Sequence, residues 1–136
     1  MPTVSTTYLG DLHVECVHER SGARFVTDAP VDNKGRGEAF SPTDLAAAAL
    51  ASCQLTIMGM YADSRDLDIA GARVDVEKTM SARPRRIGAF DITVTMPDKG
   101  YTEKDKKGLE AAARSCPVMQ SLHPDTKKNL TFVWAR

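Results

Sequence analysis

Residues 45–60 (LAAAALASCQLTIMGM) constrain the fold of this chain more than any other stretch. An apolar run of this kind has two homes, a helix inside a protein core or a span of a bilayer. It is short for a bilayer, Ser52, Gln54 and Thr56 interrupt it, and its alanines are only weakly hydrophobic. The expectation is therefore a helix covered on nearly every side by its own protein. Its start is marked. Ser41 is placed to cap, Pro42 takes the first helical position, and Asp44 falls three residues after the cap, where a carboxylate completes a capping box. The helix is expected to run to about residue 65.

Upstream, residues 4–9 and 12–17 read as two strands joined at Gly10-Asp11, a short strand follows at 24–27, and 28–37 is a loop rich in Pro, Asp, Asn and Gly. Downstream, strands are expected at 74–80 and 87–96, a helix capped by Thr102 reaching Ser115, a short helix over 117–122 and a last strand at 130–134. This order is that of an α+β chain, an antiparallel sheet with a long buried central helix. It is not the alternation of a dinucleotide-binding fold, and neither a GxGxxG nor a P-loop signature is present. The length of 136 residues suits a single domain, 1–136, and 42% apolar with 26% charged residues excludes wholesale disorder. Lys plus Arg and Asp plus Glu balance at 18 each, so no basic excess points to nucleic acid. The first ten residues lack the pattern of a signal peptide, and three cysteines are too few for a disulfide scaffold, which together suggest a cytoplasmic protein with free thiols.

The cysteines carry most of the chemical signal. Cys53 lies in the middle of the apolar helix, more than two turns from its start, where the helix dipole does little for its acidity. A small buried hydrophobe is the plain alternative. Cys116 precedes Pro117 and so falls at a helix N-cap, where backbone N–H groups would lower its pKa. Cys16 shares a strand face with Leu12 and Val14 and is expected in the core. His13, Cys16 and His18 fail a test for zinc ligation, because His13 points to the opposite face from the other two. His123 reads as a surface loop residue, and the run Ala82-Arg83-Pro84-Arg85-Arg86 as a solvated turn.

Three motifs point to a family. Residues 35–45 (GRGEAFSPTDL), Ala51-Ser52-Cys53, and Ser115-Cys116-Pro117-Val118 resemble the OsmC/Ohr family, the osmotically induced and organic-hydroperoxide-resistance proteins, and most of all its OsmC-like branch of redox proteins. The resemblance covers nearly the whole chain. It implies an intertwined homodimer of α+β subunits and thiol-dependent reduction of organic hydroperoxides by a dithiol reductant. Cys53 would be the peroxide-reacting thiol and Cys116 the resolving one, the reverse of what the N-cap argument alone suggests. In that family an Arg and a Glu activate the helix cysteine. The hydroperoxide reductases place the Glu directly after the helix-start Pro, where this chain has Thr43 and then Asp44. Glu38 becomes the candidate orienting carboxylate, and Arg20, Arg24 or Arg36 the activating cation.

The expectation is thus a thiol peroxidase needing no cofactor and no metal, without nucleic-acid or membrane partners. Two alternatives remain open: a dimer binding a small hydrophobic ligand at its subunit interface, and a stress-associated dimer without turnover.

Overall fold

The computed structural model describes residues 1–135. The chain order is β1 (Val4–Gly10), β2 (His13–His18), β3 (Arg24–Asp28), a 3-10 turn (Val31–Asn33), α1 (Pro42–Ser64), β4 (Arg73–Ser81), β5 (Arg86–Thr95), α2 (Glu103–Arg114), α3 (Pro117–Gln120) and β6 (Lys127–Val133). This is the expected α+β class, with two three-stranded sheets in place of one. The chain divides into two compact units, residues 1–46 and the residues from 47 onward.

In the first unit β1, β2 and β3 form an antiparallel meander. Its first turn runs through Gly10, Asp11 and Leu12, all at positive φ, which Gly and Asp tolerate better than Leu. The second hairpin sets the register that pairs Cys16 with Phe25 and His13 with Asp28. Past β3 the chain loops round the buried Asp28 carboxylate. Its Oδ2 accepts the backbone N–H groups of Arg36 at 3.2 Å and Glu38 at 3.0 Å. The Glu38 N–H, the His13 charge and the Arg36 N–H outweigh the cost of burial and hold this carboxyl below its ordinary range. The loop delivers Ser41, whose Oγ accepts from the Asp44 N–H at 3.1 Å while Asp44 Oδ2 accepts from the Ser41 N–H at 3.0 Å. The capping box is as the sequence reads, and it occupies the Asp44 carboxylate.

Among the described residues, the first unit buries Thr27, Asp28 and Ser41 but no apolar side chain, and Val4, Tyr8, Leu9, Leu12, Phe25 and Phe40 are exposed. Cys16 is half-buried rather than in a core, because strand parity fixes which residues share a face but not whether that face is covered.

In the second unit β4 pairs antiparallel with β5, and β6 returns parallel to β5 through the crossover of α2 and α3. Alternate residues Phe90, Ile92 and Val94 of β5 are buried, as are Leu109, Ala112 and Ala113 of α2. Gly108, in the interior of α2, costs helix propensity. It is retained where a Cβ would run into the Tyr61 ring of α1. Helix α1 is covered less than its composition suggests. Its buried residues, Leu50, Gln54, Met58 and Ala62, form one stripe at spacing four, while Met60 on another face is 62% exposed. At 23 residues α1 is also longer than the apolar run alone, and on length and composition it could cross a membrane.

Gln54 is the anomaly in that stripe. It is fully buried, and neither its Oε1 nor its Nε2 has a hydrogen-bond partner. An unmet amide costs about 1–3 kcal/mol. Gln54→Met, which keeps the shape and removes the polar atoms, should raise unfolding stability by roughly 1 kcal/mol or more in urea titration. Loss of stability would show that the amide is satisfied.

Candidate functional site

The second unit brings two thiols together. Cys53 is supplied by the middle of α1, half-buried beside the covered stripe. Cys116 is supplied by the junction where α2 ends and α3 begins. Ser115 closes α2, Cys116 caps α3, and Pro117 takes the first helical position, where its missing N–H is not needed. The Cys116 Sγ accepts the Met119 N–H at 3.3 Å and is fully buried. The Cys53 side chain is its neighbour, close enough to shift its acidity. Both cysteines are free thiols.

The N-cap of Cys116 is therefore as the sequence reads, but its acidity is not. Burial pushes the Cys116 thiol above its ordinary pKa of 9.0; the Met119 N–H pulls it down by less, and the neighbouring Cys53 thiol adds to the rise. One cap hydrogen bond does not offset desolvation of the thiolate. Cys116 is thus held protonated at neutral pH, and the half-exposed Cys53 is the thiol that solvent and solutes reach.

Glu38, Arg24, Arg36 and Arg20 belong to the first unit. Arg24 pairs with Glu15 at 3.7 Å, and Arg36 with Glu38 at 3.6 Å. The Thr43 hydroxyl lies 3.3 Å from that of Ser41, at the start of α1. His123 is on the surface as expected, 3.3 Å from Arg86 and accepting the Asp125 N–H at 3.0 Å. His18 faces the Ser21 hydroxyl at 2.6 Å, apart from any ligand group. His13, set aside as a ligand alongside Cys16 and His18, instead sits with Asp28 and Glu38, a grouping the sequence reading did not consider.

The sequence model of the OsmC-like protein family matches residues 35–131. No curated protein matches the sequence. Among solved structures, a Psychrobacter arcticus 273-4 protein, provisionally assigned to osmotic stress induction and a detoxification response, is 44% identical over 98% of this chain and 96% of its own, with a TM-score of 0.92. An organic hydroperoxide resistance protein OsmC of Legionella pneumophila is 19% identical over 97% of each chain, at a TM-score of 0.74. The organic hydroperoxide resistance protein OhrB of Bacillus subtilis is 18% identical over 97% of this chain and 98% of that one, at 0.68. The last two likenesses speak to the fold alone.

Brief iodoacetamide treatment of the reduced native protein should alkylate Cys53 at neutral pH and leave Cys116 unmodified, as read by peptide mass spectrometry. Cys116 should gain label only as the pH climbs past 9.0. Labelling of Cys116 ahead of Cys53 at neutral pH would restore the N-cap argument.

Proposed function

This chain belongs to the OsmC-like family, and on that premise we propose that it is a thiol-dependent redox protein that reduces organic hydroperoxides. The observation that carries the reading is the juxtaposition of a reachable Cys53 with a buried, protonated Cys116. The Cys53 thiolate attacks the outer peroxide oxygen, the O–O bond breaks, and the departing alkoxide takes a proton to leave as an alcohol. Cys53 becomes a sulfenic acid. The Cys116 sulfur then attacks the Cys53 sulfur and expels the hydroxyl, which takes the Cys116 proton to leave as water, so that a disulfide remains. A dithiol reductant returns both thiols by exchange and is itself oxidised.

The shifted acidity suits this order. While Cys53 is a thiolate its charge disfavours ionisation of Cys116, so the two do not compete for substrate. Oxidation of Cys53 removes that charge, and Cys116 becomes easier to deprotonate at the step that needs it. A reducing, cytoplasmic setting would keep both thiols available.

The working form we propose is a homodimer. The first unit buries no apolar side chain, although a sheet of three strands needs a covered face to be stable. Met60 of α1 and Phe25, Tyr8 and Leu9 of the first sheet are exposed, and a second copy would cover such surface. Sedimentation velocity at micromolar concentration should give a dimer; a stable folded monomer would overturn this part of the reading.

The chemistry is tested by mass spectrometry of the reduced protein after one equivalent of cumene hydroperoxide. A Cys53–Cys116 disulfide is expected. Cys116→Ser should stall as a Cys53 sulfenic acid that dimedone traps, and Cys53→Ser should react hardly at all. Unchanged thiols in the parent protein would favour a ligand-binding or non-catalytic dimer. A dimedone adduct on Cys116 of Cys53→Ser would exchange the two roles.

A further inference from the structure

The first unit holds a second cluster of reactive side chains that the thiol chemistry does not use. His13 on β2 and Asp28 at the end of β3 face each other directly in the antiparallel register, so their side chains leave the same face of the sheet. The loop after β3 brings Glu38 to the same place. One donor atom from each of the three lies within 4.8 Å of the other two. His13 Nε2 is 3.6 Å from Asp28 Oδ1 and 3.8 Å from Glu38 Oε1.

The hydrogen bonds around this trio engage its outer atoms and leave His13 Nε2 and Asp28 Oδ1 to face each other. His13 Nδ1 lies 2.8 Å from the Asp11 carbonyl oxygen, which only accepts, so Nδ1 carries the proton. When the ring gives up its other proton, whose charge otherwise helps to hold the Asp28 carboxyl low, Nε2 presents a lone pair to the two carboxylates. Asp28 spends Oδ2 on the Arg36 and Glu38 backbone N–H groups, and its Oδ1 is buried without a hydrogen-bond partner. An orphaned carboxylate oxygen on a residue only 1% exposed, aimed at an imidazole nitrogen, is the kind of atom a bound cation satisfies. The two separations from His13 Nε2, 3.6 and 3.8 Å, are too long for hydrogen bonds and close to what a metal imposes. Ligand atoms held at 2.0–2.2 Å in tetrahedral geometry lie about 3.3–3.6 Å apart.

We propose that His13 Nε2, Asp28 Oδ1 and Glu38 Oε1 bind one divalent first-row transition-metal ion, with water completing its coordination. One imidazole and two carboxylates form a mixed nitrogen and oxygen set suited to Mn2+, Fe2+, Co2+ or Zn2+ and poorly suited to the softer thiophilic ions. The Asp11 carbonyl is the outer partner that fixes the tautomer of a ligating histidine. Asp28 is held by the Arg36 and Glu38 backbone N–H groups, whereas the Glu38 side chain is 56% exposed and is the arm that closes on the ion. Closure requires the exposed Arg36 guanidinium, 3.6 Å from Glu38 Oε1, to swing into solvent. The hollow beside Asp28 is lined by Lys34 and Arg36 as well as Asp11, so binding rests on the three donors and not on a negative field. The role of the ion is to pin the loop over 29–40 to the β2–β3 pair.

Co2+ is the probe, because its spectrum separates these donors from cysteine. Titration of the reduced full-length protein should give one Co2+ per chain, with ligand-field bands and no intense thiolate-to-cobalt band in the near ultraviolet. Zn2+ should displace it and raise the unfolding temperature. His13→Gln and Glu38→Gln should each weaken binding by more than the roughly 10–100-fold that loss of an outer-shell partner costs. Cys53→Ser and Cys116→Ser should bind as the parent does. Glu38→Gln alters an exposed side chain and keeps the fold, which circular dichroism verifies, so its result stands even if His13→Gln fails to fold. No stoichiometric binding, binding unaffected by Glu38→Gln, or a thiolate band abolished by Cys53→Ser would each overturn the site. Metal binding is read by cobalt and the hydroperoxide chemistry at the thiols, so failure of either is seen apart from the other; Glu38, also the candidate orienting carboxylate, is read here by binding alone.

Discussion

The second unit depends on a single stripe of α1. Leu50, Gln54, Met58 and Ala62 are the residues by which this helix joins a core shared with β5 and α2. Cys53 sits beside the stripe and inherits its position from it. The Tyr61 ring, seated on Gly108, fixes how closely α1 and α2 approach, and α2 in turn ends at the residues that present Cys116. The thiol pair is thus a product of helix packing more than of any local motif.

That dependence explains what could be read in the sequence and what could not. The capping box at Ser41/Asp44 and the cap at Thr102 were legible because they are contacts three residues apart; that Asp105 closes a second box at Thr102 is a finding of the structure. The N-cap role of Cys116 was legible for the same reason. Its acidity was not, because the burial that raises it comes from chain segments far away in sequence. Strand parity placed Cys16 on a face with Val14 and could not say that the face would stay half open. The wide coverage expected for α1 failed in the same way, since an apolar composition does not say how much of a helix its own chain can reach.

The His13–Asp28–Glu38 grouping was half legible. His18 and Ala23 close the second hairpin through a 2.8 Å backbone bond, and counting outward from that pair sets His13 opposite Asp28. A ligand search confined to one strand could not find that pair. Glu38 had no such signal, because the loop that returns it is shaped by the Asp28 carboxylate itself.

The crossover between the parallel strands β5 and β6 has a consequence for the newly made chain. Cys116 lies on that connection, and β4, β5 and α2 all separate it from Cys53 in sequence. Contacts of such long range form late, after the loops between them have been closed. In a nascent or partly unfolded chain Cys53 and Cys116 are not yet held together, and Cys116 takes its place beside Cys53 only when the crossover has docked. Competence for two-thiol chemistry is in this sense a certificate of completed folding, issued by topology and not by any checkpoint outside the molecule.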